Sequence, residues 1–256
     1  RPAMIVRSAL SIGSLAGGGA NGGDIWLNAN LTIGGNGTTT QFDGLISGGG
    51  AVIINGGQLT LTNNNVYTGP TIVSAGTLVI AAGGSTHANS VVTIEAAVGT
   101  PYYQYPVCRC EGLINGAVTV SSNGTLYGSL GQLGSSLVVN SGGLVSCFDL
   151  LTVSDGVTFN VGSTFSISLV GSLSVLSNGK IASSSGVMNL TAATLALGSI
   201  TSSAVNDVWT ILQAPSIINR FAGLPDGATF AVSDDFGSVT LRINYTTTTV
   251  TLTRIA

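Results

Sequence analysis

The sequence predicts an all-β fold: a parallel β-helix, one elongated solenoid domain with a C-terminal cap. Three observations predict it. Helix signals are scarce, since the strong helix formers Glu and Lys together number three in 256 residues. Short alternating runs, such as Val52-Ile53-Ile54, Gln58-Leu59-Thr60-Leu61, Thr77-Leu78-Val79-Ile80 and Val118-Thr119-Val120, are bounded by Gly, Asn or Ser and read as strands. The strands also recur in a unit, a glycine or small residue followed closely by a large apolar one. Leu59 to Leu78 is 19 residues, Leu126 to Leu144 is 18, then 21 to Phe165 and 16 to Ile181. Periods of this size mark a solenoid, in which each turn buries its apolar face only by stacking on its neighbours.

Along the chain, residues 1–20 form an apolar segment, Ile5 to Leu15, followed by Gly17-Gly18-Gly19, and are expected to add a strand to a neighbouring subunit. Residues 21–204 are the solenoid. Val, Leu and Ile take its inward positions, Thr and Ser its outward ones, and Gly and Asn its corners, where positive φ is tolerated. Roughly ten turns at the strand spacing give a rod on the order of 50 Å long. The 48 residues from Leu78 to Leu126 exceed two turns. The excess is assigned to a loop near residues 101–110, rich in tyrosine, proline and cysteine, with Ala97 taking the leucine place in the turn before it. Residues 205–256 depart from the repeat, carry Trp209, Phe221, Phe230 and Phe236, and are expected to cover the last open turn.

Composition excludes several classes. Charged residues are 7 % of the chain, against about 25 % in an average domain. With a net charge of −3 and 44 % apolar residues the chain does not fit disorder. Its nearly uncharged β surface favours self-association. Seven scattered basic residues do not make a nucleic-acid interface. No run approaches the roughly 20 apolar residues of a spanning helix, and an outer-membrane barrel would need aromatic girdles that the 15 aromatics do not supply. The chain begins at Arg1 without a signal peptide, as expected of a processed protein or a fragment.

Residues 49–84 carry Gly57, Leu59, Leu61, Asn65, Tyr67, Thr68, Gly69, Thr71 and Ala75-Gly76-Thr77-Leu78. This segment resembles the autotransporter-associated β-strand repeat of bacterial passenger domains, with Pro70 where that pattern usually has Gly. The fourteen residues from Asn65 to Leu78 follow the pattern without a gap. Trp209-Thr210-Ile211-Leu212, Phe221 to Phe230, Arg242-Ile243-Asn244-Tyr245 and Val250-Thr251-Leu252-Thr253 look like the closing segment of such passengers. The resemblance implies export and a surface role, not a particular ligand.

No catalytic, metal or cofactor site is expected. Among the ten carboxylates Asp24 and Asp43 stand one turn apart in the solenoid, and no basic residue is near them in sequence. Asp234 and Asp235 are adjacent, and Asp149 and Asp155 flank a turn. His87, the single histidine, lies in an inter-repeat turn without partners. The Asn-x-Thr triplets at Asn30, Asn36, Asn123, Asn189 and Asn244 follow from asparagine corners beside threonine strands. Three cysteines allow one disulfide and a spare thiol, an intermolecular bridge, or three reduced thiols. Cys108 and Cys110 are expected to point to opposite faces. Register counting places Ser129 and about Thr100 under Cys147, so a bridge from Cys110 to Cys147 is expected through a loop folded over one turn, with Cys108 as the alternative partner. That staple would fix Tyr102, Tyr103 and Tyr105 as the candidate contact surface. The expected function is a non-catalytic, secreted or cell-surface bacterial rod that is adhesin-like or self-associating. A filament or sheath subunit and a β-helix carbohydrate-active enzyme are the alternatives. Its partners would be copies of itself, or glycans or proteins of a host or cell surface.

Overall fold

The computed structural model describes residues 4–19, 23–170, 177–201, 203–234 and 237–256, so Phe236 and Asp235 lie outside the described residues. The turns lay their strands on three walls, not every turn on all of them. On the second wall, Leu10–Ile12, Leu31–Ile33, the first half of Val52–Leu61, the first half of Thr71–Ile80, Val92–Glu95, Val118–Ser121, Leu137–Val139, Val157–Phe159, Val187–Asn189 and Ser216–Ile218 pair in succession, every pair parallel. These are ten turns among the described residues, the number expected from the period. The third wall stacks residues 39–42, 58–61, 77–80, 107–110, 125–128, 144–147, 164–167 and 194–197 in the same sense. Met4–Val6, Ile25–Leu27 and Ile46–Gly48 begin the first wall, and Leu113–Ile114 through Val208–Gln213 continue it.

Alternation sets the core. Val118 and Val120 are buried while Thr119 between them is half-exposed, and the same holds for Leu31 and Ile33 about Thr32. Side chains at i and i+2 share a face of a strand, so each wall sends every second residue into one continuous apolar interior.

The repeat motif has a physical reading in the fourth turn. Asn65 is buried; its side-chain oxygen accepts the Ile46 N–H at 2.9 Å and its amide donates to the Asn63 carbonyl at 2.9 Å, stitching two turns at a corner. Tyr67 is fully buried, with its hydroxyl 2.6 Å from Thr71 Oγ1, which lies 2.9 Å from Ser90 Oγ one turn on. Thr71 sits in an otherwise aliphatic column between Val52 and Val92, and the hydroxyl chain satisfies it there. At Gly69 a Cβ would stand 2.3 Å from the Gly50 carbonyl oxygen, so the corner excludes any side chain. Breaking this chain has a graded cost. Tyr67→Phe is expected to destabilise by about 1 kcal/mol, because Thr71 keeps Ser90. Thr71→Val removes the hydroxyl that joins Tyr67 to Ser90, leaving those two buried hydroxyls only each other, and costs roughly 1–3 kcal/mol. Urea unfolding checks both, and the double variant should cost less than the sum because the two changes remove one shared interaction.

Several expected registers shift. The residue between Leu78 and Leu126 is Cys108, paired with both, so Val107–Cys110 is a wall strand and Ala97 belongs to the loop. The insertion is therefore residues 96–106. Leu126 stacks on Val145, with Leu144 paired to Thr125 one place earlier. Ile181 is not in the Phe165 column: it pairs with Leu151 on the first wall, and Phe165 is followed by Leu195, 30 residues on. The strand itself runs on past Ile167: after a register shift Leu169 and Val170 pair with Ile200 and Thr201, and on their other side they pair antiparallel with Asn178 and Ser177.

The two ends differ. Met4–Val6 and Leu10–Ile12 pair only with the turn below among the described residues. After Ser216–Ile218 the chain reverses into antiparallel strands, Thr229–Asp234, Gly237–Tyr245 and Thr249–Arg254, the last laid against Val208–Gln213. Trp209 is buried beneath them and donates from its indole N–H to the Val170 carbonyl at 3.2 Å. Phe221 stacks on Phe165 at 6.3 Å, continuing the solenoid core into this segment. Phe230 packs against the same core from the side. No helix among the described residues is long and apolar enough to cross a membrane.

Candidate functional site

The insertion after the fifth strand of the second wall folds back along the solenoid instead of projecting from it. Residues 102–104 make one 3₁₀ turn, with Tyr102 and Tyr103 edge-to-face at 5.7 Å. Tyr102 and Tyr103 are 80 % and 71 % exposed, while Tyr105 is half-buried and Gln104 exposed. The chain returns to the wall at Pro106, whose carbonyl accepts the Thr125 N–H at 2.9 Å. Of the residues expected in the contact loop, Tyr103 and Tyr105 face a groove and Tyr102 braces Tyr103 from outside.

The groove holds about 470 Å³ and lies between this loop and the corner joining the second and third walls. Its floor comes from three turns: Gly34, Gly35 and Gly37; Asn55, Gly56 and Gly57; Gly76 and Thr77. Tyr103, Gln104, Tyr105 and Val107 close one side, and no charged side chain lines it. The glycines are required by the backbone. Gly57 and Gly76 have φ of 61° and 76°, and a Cβ on Gly76 would meet the Gly57 carbonyl oxygen at 2.4 Å. Gly56 and Gly57 fall in the register break of their strand, paired with neither adjacent turn. The floor is thus bare backbone, part of it outside the ladder. Sequence reasoning read these glycines only as corners. The signal for a groove was their recurrence at Gly35, Gly56 and Gly76, one turn apart.

A second exposed cluster lies on the outer face of the third wall. The Arg109 guanidinium stands 5.8 Å over the Tyr127 ring, which stacks on Phe148 at 6.0 Å.

The cysteines are not in the loop. Cys108, Cys110 and Cys147 are free thiols, all buried. Cys108 and Cys110 share the inward face with Arg109 outside, which corrects the expectation of opposite faces: residues two apart on a strand point the same way. Cys110 pairs with Gly128 and Gly128 with Cys147, so the residues under Cys147 are Gly128 and Cys110, not Ser129 and Thr100. No loop folds over to bring them together. They occupy one column two turns apart, about 9.6 Å at the strand spacing, beyond the roughly 7 Å Cα span of a disulfide. Burial raises all three thiols, Cys110 to about 12.

The other polar residues work at corners. Asp24 accepts the Leu45 N–H at 2.9 Å, and Asp43 accepts the Thr62 hydroxyl at 2.6 Å and the Gln41 amide at 2.8 Å, which hold its carboxyl below the usual range. In Asn36-x-Thr38 and Asn189-x-Thr191 the asparagine oxygen accepts both the backbone N–H and the hydroxyl of the threonine. These two triplets are closed Asx turns at corners. His87 Nδ1 accepts the Asn89 N–H at 3.1 Å within its own turn. No cluster of three or more His, Cys, Asp or Glu fit to hold a metal occurs among the described residues.

Residues 54–80 match the family model described as passenger-associated-transport-repeat. The matched span runs from the third turn to the end of the fourth and includes the Asn65, Tyr67 and Thr71 network. No curated protein matches the chain. An all-strand chain of parallel turns that carries this repeat fits an autotransporter passenger domain, a protein secreted or displayed at the cell surface.

Proposed function

We propose that this chain is a non-catalytic adhesive element of a bacterial surface, a rigid rod that presents the 96–106 loop and the groove beneath it. The observation that carries the reading is the loop itself. Two tyrosines, each more than two-thirds exposed, stand beside a groove at the corner between the second and third walls. Every carboxylate and histidine considered above that the structure describes with a partner satisfies a corner or a turn, which supports a scaffold over an active site. The test is display of the chain on non-adherent bacteria, with residues 101–105 kept or replaced by a short Gly-Ser link, at matched surface levels. Adhesion to epithelial cells should fall by at least tenfold without the loop, and equal adhesion would discard the reading. Self-association through residues 1–20 is a second reading. It is favoured by the half-paired first turn, where Ile5 and Leu10 are 45 % and 39 % exposed. Sedimentation of the chain with and without residues 1–16 checks it, since unchanged assembly would refute it.

A further inference from the structure

We infer that the groove under the tyrosine loop is a binding site for an uncharged oligosaccharide, lying along the rod axis. The inference rests on the adhesive reading above and names its ligand class.

The lining sets the chemistry. Ligands recognised by charge, such as phosphates, uronates or acidic peptides, find no counter-charge there. What the groove offers is two primary amides, Asn55 and Gln104, the hydroxyls of Thr77, Tyr103 and Tyr105, the two tyrosine rings, and bare glycine backbone. Amides and hydroxyls both donate and accept, as sugar hydroxyls do. Tyrosine rings give the apolar C–H face of a pyranose a flat surface with a polar tip, at low conformational cost. The volume of about 470 Å³ lies in the range of small-ligand clefts. The dimensions agree as well. The floor and loop span the second to fifth turns, three spacings of about 4.8 Å, or roughly 14 Å, the length of about three linked pyranoses. A linear glycan advances about one ring per turn, so each turn meets one sugar. A proline-rich peptide is the competing occupant, because aromatic grooves also take polyproline helices. The groove here has its aromatic rings on one side only, opposite amide and backbone, and the amphipathic faces of a sugar match that asymmetry better.

Gly35 makes the test clean. Its φ is not positive, and a Cβ there would lie 4.0 Å from its nearest neighbours, Gly13 and Ile12 of the first turn, so a large side chain fits without straining the corner and, because Gly35 lines the groove, stands at its first-turn end. The intact chain is titrated with cellohexaose, maltohexaose, chitohexaose and decaproline by saturation-transfer NMR and calorimetry. At least one hexasaccharide should bind with Kd on the order of 1 mM or tighter. Tyr103→Ala and Gly35→Trp should each weaken it at least tenfold, with unchanged circular dichroism and melting temperature. If no hexasaccharide binds, if binding survives Gly35→Trp, or if only decaproline binds, the inference is overturned. The two readings separate. Loop-dependent adhesion with no sugar binding removes the glycan and keeps the adhesive rod. Sugar binding with loop-independent adhesion does the reverse.

Discussion

A chain ended at Ile218 should aggregate under conditions in which the full 256-residue chain does not. The truncation removes the three antiparallel strands Thr229–Asp234, Gly237–Tyr245 and Thr249–Arg254. With them go the buried side chains of Phe221, Val239, Leu241, Ile243, Val250 and Leu252. At about 1.5–3 kcal/mol for each fully buried large apolar side chain, the loss is roughly 10–20 kcal/mol. That matches or exceeds the 5–15 kcal/mol of a typical domain. The loss falls on the last turns, because each solenoid turn contacts only its neighbours. Trp209 and Phe165 are uncovered, and Val208–Gln213 loses the strand beside it. An apolar parallel edge without a cover recruits further strands. Light scattering and thioflavin fluorescence should both rise for the truncated chain. Leu252→Asp in the full chain should reproduce the effect, since it buries a carboxylate in the same place. Ile255→Asp, on an exposed residue of the same tail, should not. A truncated chain that remains monomeric and unfolds at the same urea midpoint would remove the protective role of this segment.

The solenoid was legible because period-two alternation and a fixed turn length leave marks that do not depend on distant contacts. Val118-Thr119-Val120 reads the same alone as in the wall. What failed was register wherever two apolar residues stand side by side. Leu144-Val145 follows Gly142-Gly143, and either could point inward; the neighbouring turn, not the local pattern, selects Val145. Cys108 was missed as a core residue because it replaces a leucine, and the tyrosines before it made the whole segment look like a loop. A free cysteine packs as a small hydrophobe and carries no sequence mark of doing so. The late turns were misjudged for a different reason. Thirty residues, more than one period, separate Phe165 from its partner Leu195, so counting residues from Phe165 reached Ile181 on another wall. The contact tyrosines were legible as an unusual composition. The groove beneath them was not, since it exists only where glycines a turn apart align.

The chain should be alkali-labile, and its three thiols set the slope. Cys108, Cys110 and Cys147 are buried in the apolar interior, where a thiolate is strongly disfavoured, so burial raises each from an ordinary 9.0, Cys110 to about 12. Tyr67 is raised from 10.0 by the same desolvation. The unfolded chain therefore loses these protons first as pH rises. It binds fewer protons than the native chain from about pH 9 upward, so stability falls with pH across that window and is fully present below it. Each thiol contributes up to about 1.4 kcal/mol per pH unit. Between pH 8 and 10.5 the three together remove roughly 6 kcal/mol, and Tyr67 acts in the same direction. That is comparable to the whole stability of many domains. Guanidinium midpoints measured under reducing conditions across this range should fall steeply above pH 9. The triple variant Cys108→Ala, Cys110→Ala, Cys147→Ala starts less stable from lost packing, yet its midpoint should fall far less over the same range. Alkylation gives an independent reading: all three thiols stay unlabelled in the native chain at pH 8 and react together on unfolding. A bridge between Cys110 and Cys147 would leave a single titrating thiol, cut the cysteine part of the slope to about a third without reductant, and show as a linked peptide pair in non-reducing maps. A flat midpoint between pH 8 and 10.5 under reducing conditions would mean that the thiols are not held protonated by the core, and the interior column through Cys110, Gly128 and Cys147 would have to be abandoned.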